Sequence, residues 1–330
     1  MPGHQGFLVF RHALFSTRTS RRPRISRSLG DEQLSRVLGK LSKKGSAADA
    51  TLIAELLDEA GDDWDRRSHR MSVLAEATAG TRIAAAWLER EPDAPDALVF
   101  HSWTQLTRGL RDGHLEDARE VVGRCHRAAE LAPEDPLPWV VLLGTARTER
   151  YDSRDVQALW REATGRDRYH REAYLQMLAH LSPEEGGSSA SVLDFVDAVR
   201  AHIPANAPCA AIELTAAVRQ YQSILAQGGV RAMTAGQLFE GGQMAAALQQ
   251  AATLWPKPGF FQHAAAAADL NVLAYALCAA GRAADAHPVF QALQGVVTPW
   301  PWDVDGPALQ RFEQHLAKSE RGRQGGIGSG

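Results

Sequence analysis

Residues 273–286 read Leu-Ala-Tyr-Ala-Leu-Cys-Ala-Ala-Gly-Arg-Ala-Ala-Asp-Ala and are followed by Phe290. Apolar side chains recur in this stretch at the three- and four-residue spacing of an α-helix. Gly281 interrupts the pattern as a tight turn would, and Ala286 after it lets a second helix approach the first closely. The stretch therefore predicts two short antiparallel helices joined by a glycine turn.

A second marker recurs with a regular period. An aromatic residue three positions before an aliphatic or Met residue occurs at Trp103 and Leu106, Trp139 and Leu142, and Tyr174 and Met177. The aromatic residues are 36 and 35 positions apart, close to the period of about 34 residues in tetratricopeptide repeats. Each helix pair leaves an apolar face bare until the next pair covers it. We therefore expect an all-α fold: a tetratricopeptide-like α-solenoid of stacked antiparallel helix pairs, forming a single continuous body over residues 31–320.

Four further segments resemble a particular family. They are Asp-Trp-Asp-Arg-Arg-Ser-His-Arg at 63–70, Ala-Pro-Glu-Asp-Pro-Leu-Pro-Trp at 132–139, Arg-Glu-Ala-Tyr-Leu-Gln-Met-Leu at 171–178, and the stretch 181–196 around Gly186-Gly187-Ser188. Together they look like an uncharacterised actinobacterial, Streptomyces-type, family of tetratricopeptide-like proteins over about residues 50–225. The resemblance implies the fold and brings no established activity with it. That family usually carries Trp before Gly-Gly-Ser, and Glu185 in its place implies a looser loop.

The overall composition is that of a soluble globular protein. The chain has 330 residues, 45% of them hydrophobic, and a formal net charge of −3. No apolar run approaches the roughly 20 residues that a membrane-spanning helix needs. Three cysteines cannot form a disulfide framework, and an odd count is typical of a reducing compartment. We expect a cytoplasmic protein without a transmembrane segment.

Charge is concentrated at the N-terminus. Residues 1–30 contain six arginines and no acidic residue. This Arg/Ser-rich segment cannot bury enough apolar surface to offset its chain entropy, so it is predicted to be a disordered arm. Clustered arginines can also bind nucleic acid or another anionic surface, which is the alternative function for the chain. The Gly-rich residues 321–330 are predicted to be a flexible tail.

The sequence contains no recognisable catalytic or metal-binding motif. It lacks Cys-x-x-Cys, His-Glu-x-x-His, Gly-x-Ser-x-Gly and a P-loop. Paired carboxylates such as Glu184 and Glu185 lie at predicted turns or helix starts, where acidic residues favour the helix dipole. We expect no enzyme activity, cofactor or metal, and instead a scaffold or regulator that binds a protein or peptide partner.

In tetratricopeptide proteins the first helix of each pair lines a groove. Transferring the groove positions to this chain predicts a mildly basic surface that accepts an acidic peptide or a C-terminal carboxylate. Arginines that only solvate an exposed helix face are the alternative. The candidate groove residues are Thr104, Arg108, Arg111, Arg147, Asn271 and Tyr275.

Two tryptophans lie in the extended sequence Pro299-Trp300-Pro301-Trp302. Alternating prolines exclude a helix interior here. Both indoles can dock on the last helix pair and anchor a closing helix at about 307–320. Alternatively, Trp300 and Trp302 are candidate contacts for a partner, because Trp is enriched at binding hot spots.

Overall fold

The structure is a computed structural model, which describes residues 22–42 and 45–327, without the side chains of residues 305 and 323–327. In this part of the chain, 16 α-helices account for almost all regular structure, and 71% of the described residues are helical, 3-10 helices included. Three short 3-10 helices and one two-stranded parallel sheet complete it. The all-α prediction is confirmed.

The helices follow one another with short connections. The first eight are α1 Glu32–Lys40, α2 Ala47–Asp58, α3 Trp64–Thr78, α4 Ile83–Arg90, α5 Pro95–Asp112, α6 Ala118–Leu131, α7 Leu137–Thr148 and α8 Ser153–Arg166. The second eight are α9 Arg171–His180, α10 Ser189–His202, α11 Ile212–Gln227, α12 Gly229–Met233, α13 Gly242–Leu254, α14 Ala266–Ala279, α15 Ala283–Leu293 and α16 Ala308–Ile327. The strands are β1 Arg24–Ile25 and β2 Val296–Val297.

Polar side chains and glycines set the helix ends. Asp31 begins α1, and one of its carboxylate oxygens accepts hydrogen bonds from the backbone N–H groups of Gln33 and Leu34 at 3.0 Å. Ser188 begins α10 in the same way. Gly113 ends α5 with φ 79°, a left-handed conformation that glycine adopts without steric cost.

Alternate helices form a row. The first-helix row consists of α3, α5, α7, α9, α11 and α14, and each of these helices packs against the next in the row. Helices α4, α6 and α8 form part of a second layer, each packing against a first-helix-row neighbour. Gly144 on α7 allows a close approach to α5, because a Cβ there would lie 2.5 Å from Leu106 Cδ2. The tetratricopeptide-like arrangement of these pairs stays a prediction.

The apolar core consists of three clusters of buried side chains along the row. One cluster of buried side chains runs from Leu34 to Met177, and a second runs from Ala211 to Phe312. A smaller cluster that includes Tyr174 and Ile212 lies between them, at the contact of α9 with α11. These three clusters together form the core of the helical body.

Residues 22–30 belong to this body, which corrects the predicted extent of the disordered arm. Arg24 and Ile25 pair in parallel with Val296 and Val297. The backbone N–H of Arg24 donates to the carbonyl of Gly295 at 2.8 Å, and that of Ser26 donates to Val297 at 3.0 Å. These hydrogen bonds help to offset the conformational entropy that the segment loses on ordering. The amino-acid composition does not reveal them. Residues 1–21 of the predicted arm lie outside the described residues.

The segment after β1 is also tied to α3. The Arg70 guanidinium is 2% exposed and lies 2.8 Å, Nε to Oδ2, from the Asp31 carboxylate. Burial alone would raise the pKa of Asp31, but hydrogen bonds from Arg70 and from the backbone hold that pKa below its ordinary value. The N-terminal segment thus contacts both β2 and α3.

A buried ion pair joins α9 to α14. Arg171 Nη2 lies 2.5 Å from Asp269 Oδ1, and the Asp269 side chain is fully buried. Nearby, Asp65 on α3 accepts a hydrogen bond from the backbone N–H of Ala264 at 2.5 Å. These contacts link helices that are distant in sequence, whereas units of an open stack contact only their neighbours.

The C-terminal end of the described chain is helical. Helix α16 extends through Ile327, so residues 321–327 of the predicted flexible tail continue the helix instead, and the remaining three lie outside the described residues. No helix in the described ranges is long and apolar enough to cross a membrane.

Candidate functional site

Two of the predicted groove residues are core residues. Thr104 is 2% exposed, and its hydroxyl donates to the carbonyl of Phe100 at 2.8 Å within α5. Asn271 is fully buried, and its amide nitrogen donates to the carbonyl of Val296 at 3.1 Å. The prediction that these two side chains face a groove is wrong, because both satisfy backbone or core groups instead.

Trp302 is also buried, which corrects its prediction as a partner contact. Its indole is 1% exposed, and its Nε1–H donates to Asn271 Oδ1 at 2.8 Å. Tyr275, a predicted groove residue, packs edge-to-face against this indole with ring centroids 5.3 Å apart. Phe312 on α16 contacts the same indole at 5.3 Å. Trp302 therefore anchors the closing helix, as the docking alternative describes.

The arginines of α5 lie on the surface near the C-terminal end of that helix. Arg108 donates through Nη2 to the carbonyl of Thr81 at 3.0 Å and through Nε to the carbonyl of Ala79. It thereby satisfies carbonyls at the end of α3. Arg111 is exposed and lies 3.9 Å from a carboxylate oxygen of Glu76, a distance at which a surface ion pair contributes little.

Arg147 on α7 is bound by a carboxylate of the protein itself. Its Nε donates to Glu185 Oε2 at 2.8 Å, and its Nη2 contacts the other oxygen of Glu185. Its Nη1 donates to the side chain of Gln176 on α9. Two parallel N–H···O contacts are the geometry in which a guanidinium recognises a carboxylate. Glu185 holds its loop to the body here, in place of the Trp that the resemblance implies.

Arg219 on α11 is the functional candidate that the sequence reasoning missed. It is exposed to solvent, and it forms no hydrogen bond or ion pair with any described residue. Its guanidinium carbon lies 5.9 Å from the centroid of the Trp300 ring. An arginine over an aromatic face gains a modest attraction and keeps all its N–H donors available.

Trp300 is held in a fixed orientation beside Arg219. Its Nε1–H donates to Gln222 Oε1 at 2.9 Å, and Gln222 Nε2 donates to the carbonyl of Pro301 at 2.9 Å. Gln222 is 7% exposed, so this amide is a buried connector between α11 and the segment before α16. The half-buried Trp300 ring therefore forms a rigid wall next to the guanidinium.

The surroundings of Arg219 are electrostatically unfavourable for a cation. Desolvation by the surrounding protein lowers the pKa of Arg219, and the positive charges of Arg147 and Arg171 lower it further. Glu185 and Glu184 act in the opposite direction. Desolvation likewise lowers the pKa of His180 at the end of α9, with Arg147 adding to the effect and Glu185 opposing it. An anion bound at Arg219 would offset these unfavourable effects on its positive charge.

The Arg219 site is defined by Arg147, Glu185, Arg219, Gln222 and Trp300. The structure brings Arg147 and Trp300 from the predicted set to this site, and it leaves Arg108 and Arg111 with other partners. Arg219 follows no repeat marker in the sequence, and its lack of a partner is visible only in three dimensions. Chemically, the site offers the unpaired N–H donors of the Arg219 guanidinium and the aromatic ring of Trp300. The neighbouring Arg147 is already bound by the Glu185 carboxylate.

The ranges that the structure covers contain no set of side chains suited to binding a metal ion. Over those ranges, no group of three or more His, Cys, Asp or Glu side chains could hold a metal ion. The three cysteines are all unpaired, and burial raises the pKa of each thiol to about 12. Such thiols are poor nucleophiles, since the thiolate is the reactive form.

Comparison with known proteins gives no relative from which a function could be transferred. The chain matches no protein-family model, no curated protein and no solved structure. The described fold and the Arg219 site define an all-helical protein with a candidate carboxylate-binding surface.

Proposed function

We propose that the protein is a non-catalytic binding module that engages an acidic peptide, or the carboxyl terminus of a partner protein, at the Arg219 site. The observation that carries the proposal is the free guanidinium of Arg219, which no described residue pairs with. Its unpaired N–H donors can bind a carboxylate through charge-assisted hydrogen bonds, which are stronger than those between neutral groups.

The rest of the site supports the same ligand class. Glu185 already occupies Arg147 in the two-oxygen geometry expected of a bound carboxylate. Trp300 adds an apolar surface for an adjacent side chain of a peptide, and its ring is fixed by Gln222. Arg147, Arg219 and Gln222 lie on helices of the first-helix row. In the tetratricopeptide-like arrangement that we also propose for these pairs, first helices line the binding face.

The proposal is tested by fluorescence anisotropy with four labelled decapeptides. Two are Asp/Glu-rich, one with a free and one with an amidated carboxyl terminus, and two are their Asn/Gln counterparts. We expect an acidic peptide to bind and its neutral counterpart to bind at least about tenfold more weakly, the effect of one charge-assisted hydrogen bond. The free and amidated forms then show whether side chains or the terminus supply the carboxylate.

Three variants assign the binding to the site. Arg219→Ala is expected to lose the affinity for the acidic peptide, and Arg219→Lys to keep part of it, because lysine retains the charge but not the fork. Arg161→Ala is the matched control, since Arg161 is an exposed arginine on α8, outside the first-helix row. Equal affinity of the wild type and Arg219→Ala, or no binding by any peptide, would overturn the proposal.

The N-terminal segment suggests a second candidate function. Arg22, Arg24 and Arg27 have exposed side chains on the part of the predicted arm that the structure describes. We propose nucleic-acid or anionic-surface association of this segment as the alternative role. Binding of a labelled oligonucleotide that weakens steeply with salt, and that is lost in Arg22→Ser/Arg24→Ser/Arg27→Ser, would support it.

A cytoplasmic location is also part of the proposal. Three unpaired cysteines, two of them buried, support a reducing compartment. Exclusive recovery of the protein from a cell-envelope or secreted fraction after fractionation would contradict this location.

A further inference from the structure

Glu185 occupies one of the two arginines of the Arg219 site. Arg147 Nε donates to Glu185 Oε2 at 2.8 Å, and Arg147 Nη2 contacts the other carboxylate oxygen. The Arg147 side chain is 11% exposed, whereas that of Glu185 is 32% exposed. Solvent therefore reaches the Glu185 carboxylate more easily than the guanidinium that it binds.

The two arginines lie on helices that are separated by only one member of the first-helix row. Arg147 on α7 also donates to Gln176 on α9, and α9 packs directly against α11, which carries Arg219. The charges of Arg147 and Glu185 both act on Arg219, since the first lowers its pKa and the second raises it. Glu185 therefore offsets part of the positive charge that attracts an anionic ligand to this site.

The segment that carries Glu185 can give up its contact with Arg147 and keep its own fold. Glu185 ends the 3-10 helix Pro183–Glu185, in which no residue is buried. The backbone of the segment closes on itself, since the N–H of Gly187 donates to the carbonyl of Ser182 at 2.9 Å. In the described chain, no other side chain of this 3-10 helix forms a hydrogen bond or ion pair with another element. Release of Glu185 therefore breaks one ion pair and leaves the backbone bonds of the segment intact.

A second carboxylate on a bound ligand can replace Glu185 at Arg147. Arg147 then exchanges one carboxylate for another, so its guanidinium keeps its charge-assisted hydrogen bonds. A ligand already held at Arg219 presents its second acidic group at a high effective concentration, because both groups belong to one molecule. A ligand with a single acidic group leaves Glu185 in place. The exchange therefore favours ligands with two acidic groups.

We propose that Glu185 is an internal competitor for Arg147, and that the preferred ligand is a peptide with two acidic residues that bind Arg219 and Arg147 together. This inference rests on the proposed carboxylate binding at Arg219, and it adds the number of acidic groups that the ligand supplies. Glu185 disfavours ligands with a single carboxylate, because its negative charge stays at the site when such a ligand binds.

Fluorescence anisotropy with the whole chain and acetylated, amidated decapeptides tests the inference. One peptide carries a single Asp in a Gly/Ser background, and four others carry two Asp residues separated by one to four positions. We expect the best diacidic peptide to bind the wild type at least about fivefold more tightly than the monoacidic peptide. Glu185→Gln removes the competing charge, so it should tighten binding of the diacidic peptide by a further factor of about five and affect the monoacidic peptide less.

Two further variants assign the gain to Arg147. Glu184→Gln is the matched control, because it removes an equal charge from the same 3-10 helix, and the charge of Glu184 also acts on Arg219. Since Glu184 forms no hydrogen bond or ion pair with any described residue, this variant should change the affinity by less than about twofold. Arg147→Ala/Glu185→Gln lacks the arginine that the second acidic residue needs, and it should lose the gain that Glu185→Gln gives.

The 1H–15N NMR signals of the Nε–H groups of Arg147 and Arg219 give an independent readout. Each signal is assigned by its disappearance in Arg147→Lys or Arg219→Lys. The diacidic peptide should move both signals with a single affinity. The monoacidic peptide should move the Arg219 signal and leave that of Arg147 in place.

The results separate this inference from the proposed function. Suppose that the diacidic peptide binds and requires Arg219. The internal competitor is then rejected, and carboxylate binding stands, if Glu185→Gln does not tighten binding, if Glu184→Gln tightens it equally, or if the Arg147 signal stays unmoved.

Two other outcomes also decide the inference. If no acidic peptide binds the wild type or Glu185→Gln, the inference fails, and the decapeptide with a free carboxyl terminus then decides the proposed function. Binding by Glu185→Gln but not by the wild type would support the internal competitor and contradict the proposed function for the wild type.

Discussion

Arg171 and Asp269 are 98 residues apart and form an ion pair in the interior, with 2.5 Å between Arg171 Nη2 and Asp269 Oδ1. Burial alone would raise the pKa of Asp269, but the charge of Arg171 and contact with His263 hold that pKa below its ordinary value. The pair joins α9 to α14.

Breaking this ion pair from one side is expected to be severe. Arg171→Met leaves the Asp269 carboxylate buried without its main partner and should lower the free energy of unfolding by about 3–5 kcal/mol. The double variant Arg171→Met/Asp269→Leu removes both charges and should lose less than the single variant. Urea denaturation measures both, and Arg36→Ala provides an exposed control because Arg36 pairs with Glu32 at the surface. A loss below about 1 kcal/mol in Arg171→Met would contradict a structural role for the pair.

Asn271 and Trp302 are expected to be energetically coupled. Asn271→Ala leaves the Trp302 N–H and the carbonyl of Val296 without their partner, which should lower the free energy of unfolding by about 3 kcal/mol. Trp302→Phe should also destabilise, and the double variant should lose clearly less than the sum of the two. Additive losses would show that the two side chains do not interact. If Asn271→Ala keeps wild-type stability but no longer binds the peptide, Asn271 acts as a groove residue, as the sequence predicted.

Asp135 should make stability depend on pH. It is 3% exposed, its Oδ1 accepts the backbone N–H of Leu137 at 2.8 Å, and burial raises its pKa to about 6. Since the folded-state pKa exceeds the unfolded value near 3.8, the folded state binds the proton more tightly. The resulting stabilisation is complete below pH 3.8 and is lost as pH rises through about 6.

The variant Asp135→Asn keeps the acceptor for Leu137 but cannot ionise. It should exceed the wild type in stability by about 3 kcal/mol at pH 8, as follows from a shift of about two pKa units at about 1.4 kcal/mol each. The advantage should shrink as pH falls toward 4, and urea midpoints across this range measure it. Asp194→Asn serves as the exposed control. A difference between wild type and Asp135→Asn that stays constant with pH would contradict the assignment.

Two glycines on neighbouring helices should respond to alanine with opposite signs. Gly144 on α7 has Leu106 Cδ2 only 2.5 Å from the position of an added Cβ, so Gly144→Ala should destabilise by about 1–3 kcal/mol. Gly123 on α6 has no atom within 4 Å of an added Cβ, so Gly123→Ala should stabilise by about 1 kcal/mol through helix propensity. Thermal unfolding compares the two variants. A stabilised Gly144→Ala would show that α5 and α7 are not in close contact there.

Much of the fold could be predicted from local signals. Helical periodicity and the glycine turns predict an all-α chain, and the alternating prolines around Trp300 and Trp302 predict the segment that docks before the closing helix. Pairing of Arg24 and Ile25 with β2 could not be predicted, because two residues carry no strand periodicity and their partners are far away in sequence. Composition alone therefore assigned residues 22–30 to a disordered arm.

The candidate site was harder to predict than the fold. The prediction of Thr104 and Asn271 as groove residues failed because the helices that carry them, α5 and α14, also face the core. Sequence spacing alone does not show which side of a helix is covered. Arg219 carries the proposal because it lacks a hydrogen-bond or ion-pair partner among the described residues, and a missing partner has no sequence signature.

The most direct test of carboxylate binding at Arg219 is the 1H–15N NMR signal of its Nε–H group, assigned by its disappearance in Arg219→Lys. Titration with the acidic decapeptide should move this signal saturably, with the same affinity that anisotropy reports. Binding of the peptide that leaves the Arg219 signal unmoved, while other signals shift, would contradict the account.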